Sequence, residues 1–209
     1  MTAVTQNIMD LFPVPVSFSH LGRELTDAEL AFILSRDKRP NIGNTTSTDR
    51  DILANEELTD VRLFIESALA GYFKAVQNPK DAVTLYITQS WANYTEPGEY
   101  HHRHDHPNSF ISGVFYPQAD STIDKIHFFK RGYEYVKIKP DEWNHWNSQT
   151  WWFHVGAGDL VLFPSHLEHM VETAVGGNTR VSIAFNTFLK GYLGIDENLT
   201  ALQLSGGVN

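Results

Sequence analysis

A chain of 209 residues, 42% hydrophobic and 20% charged, is long enough to bury one core without cross-links, and this composition excludes a disordered or fibrous protein. It has no cysteine, which excludes disulfides, thiolate zinc sites, iron–sulfur ligation and cysteine nucleophiles, so any metal must be held by nitrogen and oxygen. With a formal charge of -9 and no basic run longer than Lys38-Arg39 or Lys130-Arg131, direct nucleic-acid binding is not expected; with no signal-like N-terminus and no apolar window of ~20 residues, a soluble cytoplasmic protein is.

The pattern is helical over the first third of the chain and strand-like beyond about residue 80. Thr26 or Asp27 stands as an N-cap ahead of a short helix from Ala28 to Leu34, and the following Arg-Pro-Asn-Ile-Gly-Asn run is loop chemistry. A longer amphipathic helix is expected from Leu58 to Val76, its stripe formed by Leu58, Val61, Leu63, Phe64, Ala68, Leu69, Tyr72 and Phe73. After Pro79 the segments become short, β-branched and aromatic: Ala82 to Ala92, Phe110 to Tyr116, Ile123 to Phe129, Tyr133 to Ile138, Thr150 to Val155, Asp159 to Phe163, Met170 to Thr173 and Arg180 to Leu189. About eight short strands with turns and no helices between them predict a mainly β fold, an antiparallel double-sheet jelly roll preceded by N-terminal helices. The expected layout is one domain: a helical part over 1–80, a jelly-roll core over 81–190 and a tail over 191–209.

Four of the ten histidines crowd into Tyr100-His-His-Arg-His-Asp-His-Pro. Strand side chains alternate faces, so His104 and His106 can point at one ion with Asp105 turned away; His102 and His104 have the same spacing, but only the first choice leads directly into the apolar alternation that follows. A third ligand is expected from Phe163-Pro-Ser-His-Leu-Glu-His169. There His169 directly precedes a resumed strand, whereas His166 lies in the bend after Pro164. In Arg180-Val-Ser-Ile-Ala-Phe-Asn186 the alternation puts Arg180, Ser182, Ala184 and Asn186 on one face, where a guanidinium beside a hydroxyl is suited to gripping a carboxylate. Histidine and oxygen ligands at three positions, with the rest of an octahedron open, suit non-heme iron; zinc hydrolysis stays open through Glu168 and Asp105, although no His-Glu-x-x-His helix is present. The five tryptophans, Trp91, Trp143, Trp146, Trp151 and Trp152, read more naturally as core than as pocket wall.

These motifs, with Leu11-Phe-Pro-Val-Pro15 and Ser90-Trp-Ala-Asn93, resemble the iron(II) and 2-oxoglutarate dependent oxygenases, and most closely a group of them common in marine phages and bacteria. The resemblance covers most of the chain and implies a double-stranded β-helix of jelly-roll, cupin-like type, with Fe(II) and 2-oxoglutarate as cofactors. It implies His104, His106 and His169 as metal ligands, Arg180 assisted by Ser182 as the clamp on the distal carboxylate of 2-oxoglutarate, and Tyr116 and Tyr94 as further hydroxyls holding that co-substrate. Hydroxylation of an unidentified substrate, with succinate and carbon dioxide released, is the activity it implies. The pattern departs from the superfamily in one respect: no histidine has an aspartate two residues on, so the pair is His-x-His and the site a three-histidine one. Rival readings are a cupin-like metal enzyme that does not use 2-oxoglutarate, and a non-catalytic binding or virion-associated module; a homodimer is the default assembly.

Overall fold

The computed structural model describes residues 6–80, 82–132 and 136–205. The first helix, α1 (Asp27–Leu34), begins at Thr26, whose hydroxyl accepts from the Glu29 N–H while the Glu29 carboxylate accepts from the Thr26 N–H. Arg23 bridges both Glu29 oxygens and, with the N-cap bonds, holds that carboxyl at about 2. The second helix, α2 (Thr59–Val76), stops where Asn78 turns left-handed (φ 42°) and its N–H closes onto the Phe73 carbonyl, with Pro79 next. Its buried stripe is Val61, Ile65, Leu69, Tyr72 and Phe73, continued at the N-cap by Leu58. Leu63, expected in that stripe, is 58% exposed, because Ile65 takes the position four residues from both Val61 and Leu69.

The strands are β1 (Ser17–His20), β2 (Lys38–Pro40), β3 (Thr45–Ser47), β4 (Thr84–Thr95), β5 (His101–His104), β6 (Ile111–Gln118), β7 (Lys125–Phe129), β8 (Thr150–His154), β9 (Asp159–Pro164), β10 (His169–Val171), β11 (Arg180–Leu193) and β12 (Leu202–Leu204). They form an eight-stranded sheet in the order β1-β9-β6-β11-β4-β3-β2, with β12 also on β11, and a four-stranded sheet in the order β5-β10-β7-β8. The named pairings are antiparallel, and the architecture is the expected mainly β jelly roll. The first third is less purely helical than its sequence suggests: β1, β2 and β3 add to the large sheet through backbone pairing, which short polar segments such as Thr45–Ser47 do not announce by periodicity. Of the strand expected from Tyr133 to Ile138, residues 133–135 lie outside the described residues and 136–138 carry no strand. Among the described residues no helix is long and apolar enough to cross a membrane.

The large sheet has two chemically distinct faces. Val181, Ile183 and Phe185 of β11, with Ala92 and Tyr94 of β4, join Val61, Ile65, Leu69 and α1's Ile33 in a core under the helices. Val114, Tyr116, Val161 and Phe163 face the other way and pack with Ile126 and Phe128 of the small sheet. Partners across an antiparallel ladder share a face, so Arg180, Ser182, Ala184 and Asn186 look between the sheets together with their partners Thr95, Asn93, Trp91 and Gln89. Gly113 is needed on the helix-covered face: a Cβ there would lie 2.2 Å from the Phe185 ring.

Candidate active site

The small sheet brings the two halves of the histidine motif together. His169 of β10 is the register partner of His104 on β5, and a backbone bond of 2.9 Å from the His106 N–H to the Ser165 carbonyl docks the following loop against the end of β9. That loop turns at Asn108 (φ 58°), where asparagine tolerates the left-handed region. A buried hydroxyl network anchors it: Ser112 and Ser109 each lie 2.8 Å from the Ser165 hydroxyl, and Ser112 donates to Asn186 at 2.9 Å. The Asn186 side chain also lies beside the His106 ring, where it favours the protonated form. The Pro-Asn-Ser and Phe-Pro-Ser stretches are thus the two sides of one clasp that sets where His106 and His169 stand.

One ligand nitrogen from each of His104, His106 and His169 lies within 4.8 Å of the other two, and the Nε2 atoms of His106 and His169 are 3.4 Å apart. Two nitrogens each ~2.1 Å from one ion stand about 3.0–3.4 Å apart, so the His106–His169 spacing fits a shared metal, with His104 next to them. The tautomers fit as well. His104 Nδ1 lies 2.7 Å from the His102 carbonyl and His169 Nδ1 lies 3.1 Å from the Leu167 carbonyl. A carbonyl only accepts, so each Nδ1 carries the proton and each Nε2 keeps its lone pair for a cation. Burial lowers the pKa of all three rings, His106 to about 4, so they are neutral ligands near neutral pH. Phe163 and Phe128 pack on His169, and Trp91 stacks on His106 at 5.9 Å. His166 is exposed. Both candidate general bases of a zinc hydrolase are engaged outside the cluster, Asp105 with Arg131 and Glu168 with Arg103.

Arg180 is buried on the same inner face and has an internal anion: Nη1 donates to Asp124 at 2.8 Å and Nη2 to the Glu172 carbonyl at 3.2 Å. Asp124 is itself 7% exposed and accepts from the Asp120 N–H. The phenol of Tyr116 is fully buried, feels the charges of Arg180 and Asp124, has its pKa pushed up by burial, and has no hydrogen-bond partner. Asn93 Oδ1, also on the inner face, is buried and unpartnered too. Buried polar groups are satisfied by protein, water, an ion or a ligand, and a phenol beside a guanidinium suits a carboxylate. Ser182 lies on this face, half-buried, two residues from Arg180.

Tyr94 is a correction. It sits on the opposite face of β4, under the helices, where its hydroxyl donates to the Ile33 carbonyl at 2.5 Å near the end of α1. Strand alternation decides this: Asn93 and Thr95 point inward, so Tyr94 cannot. Tyr94→Phe is expected to cost about 1 kcal/mol of stability through the lost bond, read in urea unfolding, while 2-oxoglutarate affinity measured by calorimetry stays within about twofold of wild type. The tryptophans also divide: Trp91 contacts a site histidine, whereas Trp143, Trp146 and Trp152 are 62%, 58% and 44% exposed rather than core. Sequence reasoning did not single out Asn186 and Asn93 as lining the candidate site, although the alternation that placed Asn186 on the face of Arg180 was the available signal. It also missed His101, which the structure stacks on His104 at 4.7 Å.

Comparison with known proteins agrees with this geometry. Residues 89–186 match the family described as "Putative 2OG-Fe(II) oxygenase". No curated protein matches the sequence. Among solved structures the fold is similar to HygX from Streptomyces hygroscopicus, crystallised with nickel and 2-oxoglutarate, at 11% identity and a TM-score of 0.57 over 83% of this chain and 82% of that one. It is also similar to SnoK, a non-heme alpha ketoglutarate dependent carbocyclase from nogalamycin biosynthesis (15% identity, TM-score 0.55, 81% and 79% covered), and to an oxidoreductase of the 2OG-Fe(II) oxygenase family from Burkholderia pseudomallei (13%, 0.54, 75% and 74%).

Proposed function

We propose, for a chain whose residues 89–186 match the model of the 2OG-Fe(II) oxygenases, that it hydroxylates an as yet unidentified substrate and releases succinate and carbon dioxide. The family makes it an oxidoreductase with iron(II) and 2-oxoglutarate as cofactors. The single observation that carries the finer reading is that one ligand nitrogen each from His104, His106 and His169 gathers in a cluster, while the inner face of the large sheet carries Arg180 and the unpartnered Tyr116 phenol. When bound, iron and 2-oxoglutarate supply oxygen activation coupled to decarboxylation of the co-substrate.

The protein's own part is binding, orientation and exclusion of water. In this reading His104, His106 and His169 hold the ion through Nε2, each ring arriving neutral because burial disfavours its protonation. Arg180 and the phenolic O–H of Tyr116 both donate toward the distal carboxylate of 2-oxoglutarate, with Ser182 beside them and Asp124 fixing the guanidinium. Val114, Phe163 and Phe128 keep the surroundings apolar, which strengthens these charge-assisted bonds. A three-histidine set would add no negative charge to a bound divalent ion, so the three rings would hold it as neutral nitrogen donors only. The test is succinate formation from 2-oxoglutarate by iron-loaded protein against a His169→Ala variant: turnover is expected in wild type only, and background in both would sink the reading.

The prior engagement of Arg180 by Asp124 favours one alternative, a cupin-like metal enzyme in which Arg180 serves only as the partner of Asp124. In that case 2-oxoglutarate would not bind with micromolar affinity, and no succinate would appear.

A further inference from the structure

The histidine run contains more ligands than one centre uses. His101, His102 and His104 form a second group whose ligand nitrogens all lie within 4.8 Å of one another, and it shares His104 with the group described above. Its origin is a bulge. Along β10, His169 and Val171 are two residues apart, but their partners on β5, His104 and His101, are three apart. The extra residue breaks the alternation, so His101 faces the same way as His104 instead of the opposite way. The three rings lie at centroid distances of 4.7, 4.8 and 5.4 Å, with His101 stacked on His104. His102 Nδ1 is buried and has no hydrogen-bond partner, as expected of a nitrogen positioned for a cation.

We infer that His101, His102 and His104 form a second divalent transition-metal position that loads the ion into the site of His104, His106 and His169. The inference rests on that assignment of the resident ion. His104 Nδ1 is held by the His102 carbonyl, so Nε2 is the nitrogen it can offer to either group, and one lone pair serves one ion at a time. The two positions are therefore alternatives, exchanged by swapping His101 and His102 for His106 and His169 around a fixed His104. The direction of exchange follows from exposure: the first group is half-buried throughout, whereas His106 and His169 are 8% and 3% exposed. An aqueous ion meets the partly exposed edges of His102 and His104 first, and His101, held deeper, completes the set. Imidazole nitrogens select borderline first-row ions such as Fe(II), Co(II), Ni(II) and Zn(II), with Mg(II) and Ca(II) left out.

Co(II) uptake by the metal-free full-length protein, followed by stopped-flow absorbance without oxygen and by calorimetry, tests this. Wild type is expected to bind one ion tightly. His102→Ala, and His101→Phe, which retains the stacked ring without its nitrogens, should hold Co(II) within about twofold of wild-type affinity but take it up at least about fivefold more slowly. His106→Ala should still bind one ion, about tenfold or more weakly, and the His102→Ala/His106→Ala double variant should bind none. Wild-type uptake rates in both His101→Phe and His102→Ala, or identical binding by His106→Ala and the double variant, would overturn the loading site and leave the resident site standing. Failure of wild type to bind Co(II) would overturn both.

Discussion

Arg180→Gln is expected to lower stability and 2-oxoglutarate affinity together, and a second change at Asp124 separates the two losses. Arg180 and Asp124 are 5% and 7% exposed and joined at 2.8 Å, so removing the guanidinium leaves a buried carboxylate without its counter-charge. Breaking one side of such a pair costs about 3–5 kcal/mol, which for a chain of this size lowers Tm by about 10 °C. Asp124→Asn in the same protein removes the stranded charge and should restore most of that stability. Co-substrate binding should not recover if Arg180 is the clamp proposed for its distal carboxylate; a lost charge-assisted contact of about 2–5 kcal/mol weakens Kd by about 30-fold or more. Thermal unfolding and calorimetry on the single and double variants read both quantities. A double variant that binds 2-oxoglutarate like wild type would remove Arg180 from the clamp and leave it as Asp124's partner alone.

The second large effect is at His169, 3% exposed and packed among Phe128, Phe163, His104 and His106. His169→Ala removes one of three converging lone pairs, and Ni(II) affinity should fall by more than the roughly 10–100-fold that follows loss of a supporting partner alone. His166→Ala, three residues away and exposed, should leave metal affinity unchanged. The same burial makes the metal-free protein sensitive to acid. In the unfolded chain these imidazoles titrate near pH 6.5, whereas His106 in the fold titrates at about 4 and His101 at about 3. Between those values the unfolded chain takes up protons that the native state refuses. Stability is therefore complete above pH 6.5 and lost as pH falls toward 4. Bound Ni(II) opposes protonation and should move the acid limb to lower pH, which unfolding scans at pH 7.5, 6 and 5 with and without metal would detect.

The helices, most of the strands and the candidate ligand histidines carry local signatures in the sequence. Thr26 or Asp27 reads as an N-cap, Pro79 marks the change from helical to strand-like segments, and the alternation from Arg180 to Asn186 spells a two-faced strand. Tyr94 was misread because its role came from a resemblance, whereas the alternation of β4 puts it under α1. The tryptophans near β8 were misread because aromatic residue type alone does not say whether an edge strand is covered.

By itself the sequence determined the composition of the site: only nitrogen and oxygen ligands, histidines in two clusters, and an arginine two positions from a serine on one strand face. Only the tertiary structure decided which nitrogens meet, since that depends on His104 pairing with His169 across strands remote in the chain, and on a bulge that turns His101 inward. It also decided that Arg180 already holds Asp124. The physical reason is range: side-chain periodicity is set by neighbours a few residues away, while register, bulges and buried charge pairs are set by strands that approach only when the two sheets close on each other.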